Sequence, residues 1–344
     1  MAIKHQHINF FIVVFSLFFI GCDNDKPTTP QQINPEVIYI PGQFYGDSLG
    51  HIEYRAGNTP IIITVPHDGT LNPSSIPDRT YGTMIRDINT KKLAERFTAF
   101  AVQRSGGLFP HVIISNLDRK KLDPNRDITE GAQGNIGAIQ AYNAYHSFIQ
   151  TAIDTAETYF DSVILLDLHG HAHDIERLEL GYLLTTEDLN MQNQSINNSE
   201  YIEKSSITQI ASLSQFPFSE ILRGATSFGT YIENKSYSYE MDEYTFDVVP
   251  SVSTISPGTD PYFNGGYTTE KYSTGKVNTI QIEAHYSRAR DTARSYGALG
   301  SILEEALREF YQEHTLKSIY QFWFFKEVAL FRYSVASSNL PSPK

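Results

Sequence analysis

The sequence is poor in cysteine and in basic charge, and each shortage excludes a class of protein. Cys22 is the only cysteine among 344 residues, so no disulfide can form within the chain. Lys and Arg number 27 against 39 Asp and Glu, and the formal net charge of −12 would repel a phosphate backbone from most of the surface. Nucleic-acid binding is therefore disfavoured. The 40% of apolar residues is that of a globular protein with a sizeable core.

The apolar run near the N-terminus, residues 10–20, is too short to span a membrane as a mature helix. It runs into the tetrapeptide FIGC, which ends at Cys22 and resembles a bacterial lipoprotein signal. We expect residues 1–21 to be a signal peptide, Cys22 to be lipidated, residues 22–36 to be a polar tether and residues 37–344 to form one domain. The chain is then expected in the bacterial cell envelope, anchored to a membrane whose leaflet stays open. An uncleaved anchor or a plain secretion signal is the alternative.

Short β-branched runs alternate with segments of helical spacing. Strands are predicted at 60–65, 111–115, 163–168 and 279–283, with a weaker one at 181–185. Helices are predicted at 89–104, 138–159 and 292–311. This alternation favours a three-layer α/β/α protein, in which helices cover both faces of a mixed, mostly parallel sheet. In residues 186–275 it stops, and we expect one short helix at 207–213 with long loops over the sheet.

Polar side chains occur at the carboxyl ends of the four clearest strands, which is the edge where open α/β sheets form their sites. In chain order they are His67, the pair Asn125 and Arg126, His169, and Glu283. Two histidines from different strands and one carboxylate make a three-ligand zinc set that leaves a fourth position for water. A zinc ion makes an amide open to attack near neutral pH, and a nearby glutamate must then move the proton. Glu283 has the type and place for that task.

A series of motifs resembles, in its order, the N-formylglutamate amidohydrolase family, whose fold is akin to that of zinc carboxypeptidases. The motifs are VPHDG (65–69), RDINTKKLAERF (86–97), RKKLDPNRD (119–127), AYNAYHSFI (141–149), LLDLHGH (165–171), LRGATSFG (222–229), FNGGYTTEKY (263–272) and IQIEAHYSR (280–288). The resemblance implies zinc bound by His67, Asp87 and His169, with Glu283 as the base. It also implies a substrate carboxylate near Arg119, Asn125 and Arg126.

Glu270 departs from the family, which usually has arginine at this position. A positive partner for the substrate has thereby become negative, unless the neighbouring Lys271 takes its place. Together with the expected export, this change favours a peptide, a cell-wall fragment or a polyglutamate-like amide over N-formylglutamate.

The resulting hypothesis is a membrane-tethered, zinc-dependent hydrolase of an amide bond next to a carboxylate. Serine hydrolysis is a second enzyme class, but the acid-rich strand ends suit a metal better. The alternative from another class is a lipoprotein that retains the fold with little or no turnover and binds a peptide or glycan through the 186–275 loops.

Each residue also has a structural interpretation. His67 could belong to a capped turn, Asp87 could stabilise a helix N-terminus, and Arg119, Asp123 and Arg126 could form an ion-pair network. We expect the chain to turn at Gly170, which would leave His171 and His173 beside the ligands rather than among them. Asp167 is expected on the opposite face of its strand, orienting a neighbour, and Arg288 and Arg290 are expected to be solvated.

Overall fold

The structure, a computed structural model, describes residues 37–320. The predicted signal peptide, Cys22 and the tether therefore lie outside the described residues, as do residues 321–344. The described residues from Tyr39 onward belong to one compact unit. Within the described part, no helix is both long and apolar enough to cross a membrane.

The described residues form ten strands and eleven helices. The strands are β1 (Phe44–Gly46), β2 (Ile52–Arg55), β3 (Ile61–Val65), β4 (His111–Ser115), β5 (Val163–His171), β6 (Leu178–Gly181), β7 (Tyr237–Tyr239), β8 (Asp242–Tyr244), β9 (Val248–Val249) and β10 (Val277–His285). The helices are α1 (Thr90–Ser105), α2 (Ile128–Ala132), α3 (Ile136–Tyr159), α4 (Thr186–Leu189), α5 (Asn193–Ile196), α6 (Ser199–Lys204), α7 (Thr208–Leu213), α8 (Phe218–Arg223), α9 (Phe228–Glu233), α10 (Tyr267–Tyr272) and α11 (Ala293–Thr315).

Eight of these strands form one mixed sheet in the order β1-β2-β4-β3-β5-β10-β6-β9. The four central strands β4, β3, β5 and β10 run parallel, and β2 and β6 flank them in the antiparallel sense. Alternation along the strands sends side chains to two cores. On β3, Ile61 and Ile63 pack with α1 and α11 on one face, whereas Ile62 packs with α3 on the other. The predicted three-layer α/β fold is confirmed.

The four clear predicted strands correspond to β3, β4, β5 and β10, and the three long predicted helices to α1, α3 and α11. The fifth predicted strand, at 181–185, overlaps β6 only at Gly181, because β6 ends there and the following apolar residues leave the sheet through a positive φ of 63° at Leu183.

The helix predicted at 207–213 corresponds to α7 (Thr208–Leu213), but the interpretation of the rest of residues 186–275 as loop is wrong. Seven short helices, α4 to α10, and three short strands occur there among the described residues. Each helix has only four to six residues. Segments of one turn or little more are too short to produce the 3.6-residue periodicity by which a helix is read from sequence.

Candidate metal centre and active site

Three elements bring one carboxylate and two imidazoles together at the carboxyl edge of the sheet. His67 follows β3, Asp87 precedes α1, and His169 lies on β5. The backbone N–H of Asp87 donates to the carbonyl of His67 at 3.1 Å, which fixes the loop between them. All three side chains are buried.

The donor atoms of these residues face one another across a small triangle. His67 Nδ1 lies 3.2 Å from Asp87 Oδ2 and 3.1 Å from His169 Nδ1, and His169 Nδ1 lies 3.1 Å from the same Asp87 oxygen. Donors about 2.0–2.1 Å from a tetrahedral zinc ion would lie about 3.3 Å apart. The three side chains therefore offer a donor set of the size and chemistry that a metal ion requires, and His67, Asp87 and His169 together form a possible metal-binding group.

The outward nitrogen of each imidazole is held by a buried carboxylate. His67 Nε2 lies 2.7 Å from Asp123 Oδ1, and His169 Nε2 lies 2.9 Å from Asp167 Oδ2. An N–H donated to these carboxylates leaves the lone pair of each Nδ1 facing the triangle. The expectation that Asp167 points away from His169 is wrong, because residues two apart on an extended strand share a face. Its predicted role of orienting a neighbour fits the hydrogen bond.

Opposite charges shift the pKa values of this group strongly. Burial alone would raise the pKa of Asp87, but His67 and His169 hold it well below the usual range. Asp123 is likewise held low against the effect of burial, by His67 and Arg119. Burial disfavours charge on His169, yet Asp167 and Asp87 outweigh it and raise the pKa of that imidazole well above 6.5.

Asp68, rather than Asp87, stabilises the N-terminus of α1. The Asp68 carboxylate accepts the backbone N–H groups of Asn89 and Lys91 at 3.1 and 2.9 Å, and so satisfies the first turn of α1. The Asp87 carboxylate is thereby left to face the histidines.

Glu283 lies beside the triangle, because β10 pairs with β5 and places Glu283 directly opposite His169. Its Oε1 accepts a hydrogen bond from Gln281 Nε2 at 2.9 Å. Burial, opposed by His169 and reinforced by the negative charges of Asp87 and Glu179, raises the pKa of Glu283 to about 7. A carboxyl group with a pKa near neutrality is suited to accept and return a proton.

The predicted substrate contacts differ in how they are engaged. Arg119 pairs with Asp87 at 3.4 Å and with Asp123 at 3.0 Å, so it supports the metal-binding group. Asn125 is buried, with Nδ2 3.0 Å from His169 Nε2 and Oδ1 accepting from the Thr268 backbone. Within residues 37–320, the Arg126 side chain makes an ion pair of 3.3 Å with Glu130 and a hydrogen bond to the Asn125 carbonyl, and 35% of it is exposed.

One cavity of about 490 Å³ collects every predicted site residue that the described part of the chain contains. Those residues are His67, Asp87, Arg119, Asn125, Arg126, His169 and Glu283. Glu270 and Lys271 do not line it: both are exposed on α10, and Lys271 Nζ lies 5.2 Å from the centre of the Tyr267 ring. The departure at Glu270 therefore places no negative charge in the cavity wall.

Two further parts of this wall, at Gly170 and Arg290, differ from what the sequence predicted. The strand does not turn at Gly170, since β5 continues to His171 and Gly170 pairs with Ala284. Arg290 is buried rather than solvated, and it donates to the carbonyls of Ala284, Ile88 and His171. Its burial depends on Gly170, since a Cβ there would lie 2.1 Å from the Arg290 guanidinium carbon. No sequence signal links these two positions.

A second group of potential ligands, His171, His173 and Glu179, lies nearby. Its atoms already have partners. His171 Nε2 bonds the Arg177 carbonyl at 2.9 Å, and His173 Nδ1 lies 3.0 Å from Glu179 Oε1. Glu179 also has Arg177 Nε at 3.4 Å and accepts the Phe263 backbone N–H. Arg177 lies against Oε1, the Glu179 oxygen that also faces His173, and so disfavours a cation there, whereas Arg119 contacts Asp87 through Oδ1 and leaves Oδ2 to the imidazoles.

The sequence contains one G-x-S-x-G pattern, Gly46 to Gly50, which is the pattern of a serine nucleophile elbow. In the structure it forms the turn between the antiparallel strands β1 and β2, and Ser48 is exposed. An elbow instead joins a strand to a helix, so the pattern does not indicate a serine hydrolase.

Comparisons with known proteins find similarity in structure alone. No family model matches the chain, and no protein of curated function matches it. An N-formylglutamate amidohydrolase from Ralstonia eutropha JMP134 has a TM-score of 0.44 and 13% identity, over 75% of this chain and 96% of its own. The gene product Atu2144 from Agrobacterium tumefaciens has a TM-score of 0.43 and 11% identity, over 78% and 98%.

A third similar structure is the CwlD amidase from Clostridioides difficile, in complex with the GerS lipoprotein, with a TM-score of 0.33 and 10% identity over 74% of this chain and 99% of its own. An N-formylglutamate amidohydrolase is thus among the chain's structural neighbours, as the sequence motifs predicted.

Proposed function

We propose that the protein is a zinc-dependent hydrolase that cleaves an amide bond next to a carboxylate. The observation that carries this proposal is the triangle formed by His67 Nδ1, Asp87 Oδ2 and His169 Nδ1, with both outward imidazole nitrogens held by carboxylates. Such an arrangement of donors and outer carboxylates is typical of zinc sites with an open position.

In this proposal Glu283 is the base and then the acid. His67, Asp87 and His169 would hold a zinc ion, which when bound would supply a Lewis acid for the amide carbonyl. The Glu283 carboxylate takes a proton from the attacking water, whose oxygen bonds to the carbonyl carbon. The C–N bond then breaks, and Glu283 returns the proton to the leaving nitrogen, so that the products are a carboxylic acid and an amine.

We assign the substrate carboxylate to the Asn125–Arg126 end of the cavity. Arg126 pairs with one carboxylate, that of Glu130, whereas Arg119 is held by both Asp87 and Asp123. Of the two guanidinium groups, that of Arg126 is therefore the more available to a substrate. Arg119 then acts mainly by balancing the charge of the two acids. The three residues remain the proposed substrate-binding set, with Arg126 in direct contact.

A chelator experiment tests the proposal. The purified chain is assayed on N-acyl amino acids and on the matching N-acyl amino acid amides, which lack the free carboxylate. We expect hydrolysis to disappear on chelation, to return with one equivalent of zinc per chain, and to be at least tenfold faster with the free carboxylate. Hydrolysis that survives complete metal removal, or zinc-loaded protein that hydrolyses none of these compounds, would refute it.

We further propose that Cys22 carries a lipid that anchors the enzyme in the bacterial envelope. Expression in a bacterium with a radiolabelled fatty acid checks this directly. The wild-type chain should carry the label and sediment with membranes, and Cys22→Ala should do neither.

A further inference from the structure

The mouth of the cavity carries large apolar side chains that are exposed to solvent. Ile85, Ile88, Phe263 and Tyr286 line the cavity and expose 79%, 45%, 41% and 40% of their surface. They come from three separate segments of the chain, and we call them the apolar rim. Exposed apolar groups that converge on a cavity mark a binding surface more often than isolated ones do.

Part of the apolar rim lies over the opposite face of the sheet from the proposed carboxylate site. On β5, His169 points to the face where Asn125 contacts it. The next residue, Gly170, faces the other way and packs against the Arg290 guanidinium. Arg290 in turn donates to the Ile88 carbonyl, and its guanidinium carbon lies 5.4 Å from the centre of the Tyr286 ring. Ile88 and Tyr286 are therefore fixed beside the face that Asn125 does not occupy.

The metal-binding triangle lies between these two ends. A substrate whose carboxylate lies at Arg126 and whose amide lies at the triangle must direct its acyl group away from Asn125, toward Ile88 and Tyr286. The cavity volume of about 490 Å³ falls within the range of about 300–1,000 Å³ that encloses drug-sized ligands, more space than a formyl group needs.

We propose that the substrate is an N-acyl amino acid whose acyl group is large and apolar, and that the apolar rim binds this group. The inference rests on the proposed function for the position of the scissile amide. It assigns specificity to residues that hold no metal and move no proton.

Calorimetry on zinc-loaded Glu283→Gln protein tests the inference without turnover. N-octanoylglutamate and N-acetylglutamate carry the same carboxylates and differ only in acyl length. We expect the octanoyl compound to bind at least tenfold more tightly, because the additional methylenes leave water on the apolar rim. Equal affinities would overturn the inference.

Two substitutions on the apolar rim, with one matched control, test whether the rim causes the difference in affinity. Ile88→Ser and Tyr286→Ser, each made in the Glu283→Gln background, should lower the ratio of octanoyl to acetyl affinity at least threefold. Ile136 exposes 73% of its surface at the start of α3 and does not line the cavity, so Ile136→Ser should leave that ratio unchanged. An equal fall of the ratio in Ile136→Ser, or an unchanged ratio in both Ile88→Ser and Tyr286→Ser, would contradict the assignment.

Turnover by the wild-type enzyme separates this inference from the function on which it rests. Hydrolysis of both compounds at equal kcat/KM would refute the acyl preference and leave the amidohydrolase proposal intact. Absence of hydrolysis with a clear difference in affinity would refute the activity and retain the apolar subsite.

Discussion

Two groups of histidines and acids lie close together at the carboxyl edge of the same sheet, yet they differ in what surrounds their donor atoms. In the group of His67, Asp87 and His169, carboxylates hold the outward imidazole nitrogens and the inward atoms face one another. In the group of His171, His173 and Glu179, backbone groups and Arg177 occupy the donors. Proximity of ligand-type residues is therefore insufficient evidence for a metal site. The two groups differ at their inward atoms, since His171 Nδ1 already accepts the His173 backbone N–H and Glu179 Oε1 has Arg177 Nε beside it.

The largest expected effect comes from deleting a ligand in each group. We expect His67→Ala and His169→Ala to lose the metal, so that activity falls to the background level. His173→Ala should keep one metal per chain, because its imidazole belongs to the group with occupied donors. Elemental analysis of the purified variants checks this. Loss of metal in His173→Ala with retention in His67→Ala would reverse the comparison.

The two glutamates that face each other across neighbouring strands offer a matched pair. Glu283 on β10 lies opposite Glu179 on β6. Glu283→Gln should lower kcat about 10²–10⁴-fold with the metal retained, which is the usual contribution of a general acid–base group. Glu179→Gln should cost far less activity, since its carboxylate serves to hold His173 and the Phe263 backbone. Similar losses of kcat in the two variants would show that Glu283 has no special role.

The outer carboxylates should have a smaller effect, on affinity for the metal. Asp123→Asn or Asp167→Asn leaves the ligands present but weakens the bond that orients each imidazole, and we expect metal affinity to fall about 10–100-fold. Asp154→Asn, an exposed change on α3, is the matched control. Competition with a metallochromic chelator measures the three affinities. Unchanged affinity in both buried variants would mean that the triangle is positioned by the backbone alone.

The smallest expected effect is a difference in protonation between two histidines, measured by NMR titration of the metal-free protein. His169 and His171 are two residues apart on β5, yet carboxylates raise the pKa of the first well above 6.5, whereas burial lowers that of the second to about 4. We expect His171 to stay neutral at pH 5 while His169 remains protonated above pH 6.5. Ring-nitrogen chemical shifts would report both states, and indistinguishable titrations would contradict the proposed surroundings.

These shifts also affect stability, with opposite signs. His169 has a folded-state pKa above the unfolded value near 6.5, so its contribution to the free energy of unfolding is complete below that pH and is lost as pH rises through the raised pKa. The folded-state pKa of His171 lies below the unfolded value, so the free energy of unfolding falls as pH falls from 6.5 toward 4. Chemical denaturation of the metal-free protein at several pH values would reveal both trends.

Sequence reasoning predicted the positions where chemistry occurs better than the arrangement around them. His67 and His169 could be selected because each follows or ends a strongly apolar strand, and such strands meet at one edge. Asp87 came from a resemblance, since nothing in its own neighbourhood distinguishes it from an acid at a helix start. The contact of Arg290 with Gly170 could not be predicted, because it joins positions 120 residues apart that share no motif.

The sequence by itself determined the central strands, the long helices and the residue types at the sheet's edge, because apolar periodicity is a local property of the chain. Only the tertiary structure decided which imidazole nitrogens face inward, that Asp123 and Asp167 hold the outward ones, and that His171 and His173 form a separate group. The physical reason is that a nitrogen's direction depends on its hydrogen-bond partner, and the partner of His67 lies 56 residues away along the chain.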